Sequence, residues 1–324
     1  MSIEPPRVPI FRARRWVRRL IVVCAALVVV AIGLVAAAHV WRATWLPGAV
    51  ARAPNAGETA LQLGPDPPPP LRSAELRARE LRVEVGPPAA SIALWIIDGP
   101  ERKPRGTVLL LHGIRDTKRS LLGVAERIAV AGFRAVLVDL RGHGHSSGDW
   151  LSYGPREGRD LAQVLDALTQ REEIALPIGA YGTSYGGAAA LQLAQKDPRV
   201  RAVVTVATFT RMVEIVPRYA AQLLPRWFVS REDVAAAIVR AGELGDFRPD
   251  DADSVAAIAR TTAPVLLLHG RDDDTVPAQQ SEVLHAAAPS HSRLLLVDHR
   301  DHRTIMNDET VARESLAWLT QHLQ

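Results

Sequence analysis

Pro177-Ile178-Gly179-Ala180-Tyr181-Gly182-Thr183-Ser184-Tyr185-Gly186 decides how the rest of this chain is read. Residues 177–181 form a short apolar run of strand length, and residues 187–193 are small and helix-permissive up to Lys196-Asp197-Pro198. The pattern predicts a strand that turns abruptly into a helix, with Ser184 at the corner. Such a corner strains the serine backbone. Side chains at 182 and 186 would meet the neighbouring strand and helix, so both positions call for glycine. The result is a hydroxyl raised at the carboxyl end of a strand, where a nucleophile can work.

The same alternation extends in both directions. Residues 80–85 and 92–97 read as an opening hairpin, and residues 107–111 as an apolar strand running into His112-Gly113. Residues 121–130 have helical spacing and stop at Gly132; residues 135–140 are another strand, followed by the glycine-rich 141–148. Residues 160–168 put Leu161, Val164, Leu165 and Leu168 on one helical face. Strands at 202–209, 265–268 and 294–297 follow, with helices at 279–288 and 310–323. Unbroken apolar strands between helices predict an α/β fold, a mostly parallel sheet covered on both faces. Sites in such sheets collect at the carboxyl ends of the strands, where His112-Gly113, Asp139, Ser184 and Asp273 all fall.

A serine hydroxyl needs an adjacent base, itself oriented by a carboxylate. After strand 265–268 come Asp272, Asp273 and Asp274, of which two read as an ordinary solvated turn ahead of the next helix. After strand 294–297 come His299 and His302. The later histidine is favoured, because its loop must reach back over the sheet to Ser184. His285 and His291 read as surface residues. An oxyanion would be held by the amides of Tyr185 and Ile114, one such donor contributing about 3–4 kcal/mol in a known case. His143 and His145 lack the partners of a metal site, and the glycines beside them do not form a dinucleotide fingerprint. No metal and no cofactor is expected.

Taken in order, His112-Gly113, Asp139-x-Arg141-Gly142-His143-Gly144-x-Ser146, Gly182-x-Ser184-x-Gly186 and His269-Gly270-x-x-Asp273-x-x-Val276-Pro277 resemble the α/β-hydrolase family over about residues 75–324. The resemblance implies a Ser184–His302–Asp273 triad, since the family's acid lies three residues after the strand-end glycine. Asp301-His302 matches one context of the family histidine, while Asp298 stands where glycine is usual. The branch most similar is that of serine carboxylesterases, lysophospholipases and serine aminopeptidases. It also implies a helical cap at about 210–262, where Met212, Val213, Ile215, Val216, Tyr219, Leu223, Leu224, Trp227 and Phe228 would line an acyl or leaving-group pocket and pack the cap onto the core.

Ahead of this domain, six arginines and one glutamate occupy residues 1–19, a charge of +5. The remaining 33 basic and 34 acidic residues give −1, so the basicity is not a nucleic-acid surface. The uncharged run 20–40 would span about 31 Å as a helix at about 1.5 Å per residue, one hydrocarbon core. Trp16, Trp41 and Trp45 flank it, and the arginine asymmetry places the N-terminus in the cytoplasm and the domain outside. A cleaved signal is the alternative, with an A-x-A site at Ala36-Ala37-Ala38. Cys24, the only cysteine, permits no internal disulfide. Residues 46–72, with Pro67-Pro68-Pro69-Pro70, read as a semi-extended linker, so deleting 1–72 should leave hydrolysis of short soluble esters intact.

The leading expectation is therefore a membrane-anchored serine hydrolase of carboxylic or lipid-like acyl esters. An aminopeptidase or amidase, using Glu214, Glu232 or Asp233 to hold a substrate amine, is the enzymatic alternative. A tethered binding protein that keeps the fold without turnover is the alternative of another class.

Overall fold

The computed structural model describes residues 10–223, 225 and 228–324. Leu224 and Trp227, named above, and the first of the N-terminal arginines, Arg7, lie outside the described residues. The chain divides into two compact units, Met1–Leu46 and Pro47–Gln324.

The first unit is dominated by helix α1 (Ile10–Ala51), which continues a few residues past the boundary. Its stretch Trp16–Ala51 is long and apolar enough to cross a membrane, with no part of its most apolar window buried by protein. Leu20, Val29 and Leu34 are 65–68% exposed. A helix apolar on every side and covered by nothing is a membrane-crossing or signal helix rather than a core helix.

The second unit opens with the short helix α2 (Ala60–Leu63) and the antiparallel strands β1 (Arg77–Val85) and β2 (Ala90–Asp98). Then come β3 (Thr107–Leu111), α3 (Leu122–Val130), β4 (Arg134–Val138), α4 (Pro155–Gln170), β5 (Ile178–Thr183), α5 (Tyr185–Ala194) and β6 (Val200–Val206). Three helices follow before the sheet resumes: α6 (Met212–Leu223), α7 (Arg231–Gly245) and α8 (Ser254–Arg260). The chain closes with β7 (Val265–Gly270), α9 (Gln279–Ala287), β8 (Ser292–Val297) and α10 (Glu309–His322).

The eight strands form one sheet in the order β1-β2-β4-β3-β5-β6-β7-β8. β2 joins β4 antiparallel, and every pairing from β4 to β8 is parallel. Strands β3, β5 and β7 are buried throughout because helices cover both faces. α3 and α10 pack together on one side; α4, α5, α8 and α9 form a row on the other. On the α3/α10 side the core is built from Trp95, Phe133, Leu137, Tyr181, Leu266 and Leu319. The main difference from the sequence reading lies in residues 46–72. They are not a free spacer: Ala51, Ala53 and Asp66 are buried, and Arg52 forms an antiparallel bridge with Trp150.

The loop after β4 is held from below by one buried ion pair. Arg141, 2% exposed, donates to both carboxylate oxygens of Asp160 on α4 at 2.7 and 2.8 Å, and to the Pro88 carbonyl at 2.9 Å. Arg141→Leu would leave the Asp160 carboxylate buried alone, at a cost of about 3–5 kcal/mol. Urea unfolding in detergent should show the midpoint falling accordingly; a midpoint within experimental error of wild type would contradict this account.

Candidate active site

Ser184 caps the start of α5 with φ 49° and ψ −110°, a region that costs a non-glycine residue about 1–3 kcal/mol. The surroundings hold it there. Its amide donates to the Val206 carbonyl at 2.7 Å, and Thr208 Oγ1 donates to its carbonyl at 3.2 Å. A Cβ at 182 would run into the Gly186 carbonyl, and a Cβ at 186 into the Leu111 carbonyl oxygen of β3. The two glycines thus let the corner close, and the close approach to β3 fixes its height above the sheet.

Gly113 follows β3, and a Cβ there would stand 3.9 Å from the Ser184 Cβ. Ile114 and Arg115 (φ 57°) make a tight turn closed by the Asp116 amide on the Gly113 carbonyl at 3.3 Å. Among the described residues, the Ile114 amide donates to no group. Tyr185, as the first residue of α5, has no carbonyl one turn behind it to accept from its amide. Two free N–H groups therefore flank the serine.

Asp273 and His302 are brought together by backbone zipping between two neighbouring loops. β7 runs on through His269-Gly270, two residues beyond the sequence reading. The Asp272 amide then donates to the Arg300 carbonyl at 3.1 Å and the Arg271 amide to the Val297 carbonyl at 3.0 Å. Only glycine fits at 270, where a Cβ would strike the Arg300 carbonyl. His302 Nδ1 lies 2.7 Å from Asp273 Oδ2, while Asp273 Oδ1 accepts from the Val276 and Thr275 amides at 2.7 and 3.0 Å. His299 does not share this site: its ring is 91% exposed and points toward Asp272 at 3.9 Å.

Burial alone would raise the Asp273 carboxyl, but hydrogen bonds from His269 and His302, the charge of His302 and the Val276 amide bring it down to about 2. With Asp273 ionised, His302 Nδ1 must carry the proton it donates, which leaves Nε2 free to accept one. His269 was singled out in the sequence only as part of a motif. It is fully buried, with Nε2 2.7 Å from the Val276 carbonyl and 3.3 Å from Asp273, and Nδ1 2.6 Å from Ser281 Oγ.

His112 and His143 pack against each other with ring centres 5.0 Å apart, and His143 against Tyr185 at 5.8 Å. His112 Nε2 accepts from the Leu140 amide at 3.0 Å, so its proton is on Nδ1, 2.7 Å from the Gly113 carbonyl. Burial keeps His112 low, and burial with repulsion from His112 brings His143 down to about 4. Both are neutral struts. Among the described residues, no group of His, Cys, Asp or Glu is arranged to hold a metal ion.

The sequence named Tyr219 only as a pocket-lining residue. In the structure its phenol, carried by α6, comes close enough to the Ser184 side chain to interact with it. Burial pushes the phenol up to about 12, Ser184 draws it back, and the charge of Asp273 adds to the rise. α6 is itself fastened to the acid's loop: Gln222 Nε2 donates to the Asp274 carbonyl at 2.8 Å, and Arg218 Nε to the Asp274 and Thr275 carbonyls at 3.2 Å. The cap carboxylates have other duties. Glu214 pairs with Arg211 at 2.8 Å and accepts from Thr210 Oγ1 at 2.6 Å, Asp233 caps α7, and Glu232 is fully exposed.

Known proteins share this arrangement of strands and helices. Esterase Pf2001 of Pyrococcus furiosus superposes with a TM-score of 0.62 at 16% identity, covering 80% of this chain and 100% of that one. The fold is that of the α/β-hydrolases. A family model described as serine aminopeptidase, S33, matches residues 102–256. Monoacylglycerol lipase of Mycolicibacterium smegmatis is 24% identical over 261 residues, 69% of this chain and 91% of that protein. The uncharacterized protein YqkD of Bacillus subtilis is 26% identical over 200 residues, 60% of this chain. The chain spans 64% of YqkD and 49% of two further curated relatives.

The lowered Asp273 carboxyl links the site to stability. Because the folded value lies below the ordinary 3.8, Asp273 stabilises the fold above that pH and ceases to as pH falls through about 2. The gap corresponds to roughly 2 kcal/mol at neutral pH. Asp273→Asn should therefore unfold at lower urea than wild type at pH 7, with the two curves drawing together as pH falls below 4. A difference that stays constant down to pH 3 would contradict the assignment.

Proposed function

We propose that this protein is a serine hydrolase that cleaves carboxylic esters through an acyl-enzyme. The reading is carried by the Asp273–His302 hydrogen bond, formed at the same sheet edge as the strained Ser184 corner. His302 Nε2 takes the Ser184 proton as the oxygen attacks the ester carbonyl, and the Ile114 and Tyr185 amides receive the charge that develops on the carbonyl oxygen. The tetrahedral adduct collapses as His302 returns the proton to the leaving alkoxide. Water, deprotonated by His302, then releases the acid by the same steps in reverse. The apolar cap (about residues 210–262) holds the acyl or leaving group, and similarity to a monoacylglycerol lipase and an esterase favours lipid-like esters.

A fluorophosphonate probe tests this reading directly. Wild type should be labelled, and Ser184→Ala should not. His302→Ala should lower kcat for p-nitrophenyl esters at least about 10³-fold, with His299→Ala close to wild type. An unlabelled, folded wild type would leave a non-catalytic binding protein as the better description. Loss of activity in His299→Ala alone would move the base to that residue.

The description of the matched family favours a second reading, a serine aminopeptidase. It asks for a carboxylate lining the pocket to bind a substrate amine; Glu214 and Asp233 are already engaged, and Glu232 is fully exposed to solvent. Aminoacyl anilides should therefore turn over at least tenfold more slowly than esters of similar size; the reverse order would favour the peptidase.

We further infer that residues 20–40 anchor the chain in one pass, residues 1–19 in the cytoplasm and the hydrolase domain outside, from the arginine asymmetry. Protease added to intact spheroplasts should digest the domain while sparing an epitope at the N-terminus. Protection of the domain would reverse the orientation.

A further inference from the structure

Composition reads residues 46–72 as a spacer, yet the stretch carries one of the most engaged carboxylates in the molecule. Asp66 lies between Pro65 and Pro67 and is 3% exposed. Its Oδ2 accepts from Lys118 Nζ at 2.8 Å, its Oδ1 pairs with Arg119, and its carbonyl accepts from Trp95 Nε1 at 2.6 Å. Lys118 has no exposed side-chain surface. Its ammonium also donates to Asp139 Oδ2 at 2.5 Å, and its amide to Asp139 Oδ1 at 2.7 Å. The Lys118 and Arg119 cations lie 4.7 and 4.8 Å from the Trp95 ring centre. Lys118, Asp66 and Asp139 are thus buried together, and Arg119, 52% exposed, closes the cluster from the solvent side.

That cluster sits at one end of the turn carrying the Ile114 amide. The other end is pinned by His112 on the Leu140 amide. The rest of the segment is laid down along the loop after β4. Ala53 donates from its amide to Asp149 at 2.9 Å, and Asn55 Nδ2 to the Gly144 and Ser146 carbonyls at 2.6 and 3.1 Å. Tyr153 Oη donates to the Val50 carbonyl at 2.6 Å.

We propose that Asp66 is a positioning residue for the Ile114 amide, acting through Lys118, and that residues 47–66 are a strap belonging to the active centre. The proposal rests on the reading of Ile114 as an oxyanion donor. With Asp66 neutral, Lys118 keeps only the carboxylate of Asp139, Arg119 keeps none, and the two cations beside the Trp95 ring repel each other. Residues 114–119 move with them, and the amide loses its aim at the reacting carbonyl. The effect falls on the transition state, where the oxyanion exists, rather than on substrate binding.

The test uses the full-length protein in detergent. Asp66→Asn should lower kcat for p-nitrophenyl butyrate about tenfold with KM within twofold. It should weaken inhibition by a trifluoromethyl ketone, whose serine adduct carries an oxyanion, by a similar factor. Amide exchange over residues 113–120 should quicken, a readout that does not depend on any chemistry. Asp66→Asn/Arg119→Met restores the charge balance and should return kcat and inhibition to within threefold of wild type. Leu61→Ala, an exposed side chain on the same strap, should behave as wild type. The proposal is overturned if folded Asp66→Asn keeps its kcat, inhibition and exchange, or if only KM rises. Should Asp66→Asn not fold, the double variant decides: folded with normal kcat supports the charge argument, folded with low kcat refutes it. A wild type that no fluorophosphonate labels defeats the functional reading instead, and the exchange experiment then still judges the strap.

Discussion

The arrangement depends on one close approach. Helix α5 comes so near to β3 that residue 186 can have no side chain, and the contact sets where Ser184 stands above the sheet. From that height the partners follow. Parallel strands deliver their carboxyl ends to one edge, so β3 supplies Gly113 and Ile114, β7 supplies Asp273, and β8 supplies His302. None of these residues is near another in sequence. What brings them to one edge is a sheet whose strands all point the same way over the relevant half.

The site combines rigid and secured parts. Ser184 is held by main-chain bonds and by strain that the neighbouring carbonyls do not allow to relax. The acid and base loops are stitched through Asp272 and Arg300, so Asp273 and His302 keep their spacing without depending on side-chain packing alone. His112 and His143, packed near Tyr185, remain neutral because burial penalises their charge.

Much of this is legible in the sequence because it is local. The glycines around Ser184 announce a corner, and the apolar strands announce a covered sheet. The strand-following loops then narrow the partners to a few residues. The reading falls short where distant contacts overrule local character. His269 looks like the end of a strand because it is polar, yet Ser281 and the Val276 carbonyl satisfy it and β7 runs through it. Tyr219 shows only helical spacing within the cap, and nothing local points it at Ser184. Asp66 is hidden furthest, a carboxylate among prolines whose partner Lys118 lies 52 residues away. Composition describes how a segment behaves alone, and residues 46–72 are not alone.

The boundary between the two units has a bearing on where the folded unit can reside. The folded unit begins at Pro47, beyond the small-residue tract at Ala36-Ala37-Ala38. A processing peptidase cutting at that tract would remove the hydrophobic helix and leave every group around Ser184 attached to the released product. Under the proposed reading, anchoring and hydrolysis are thus separable properties of one polypeptide, governed by different stretches of it.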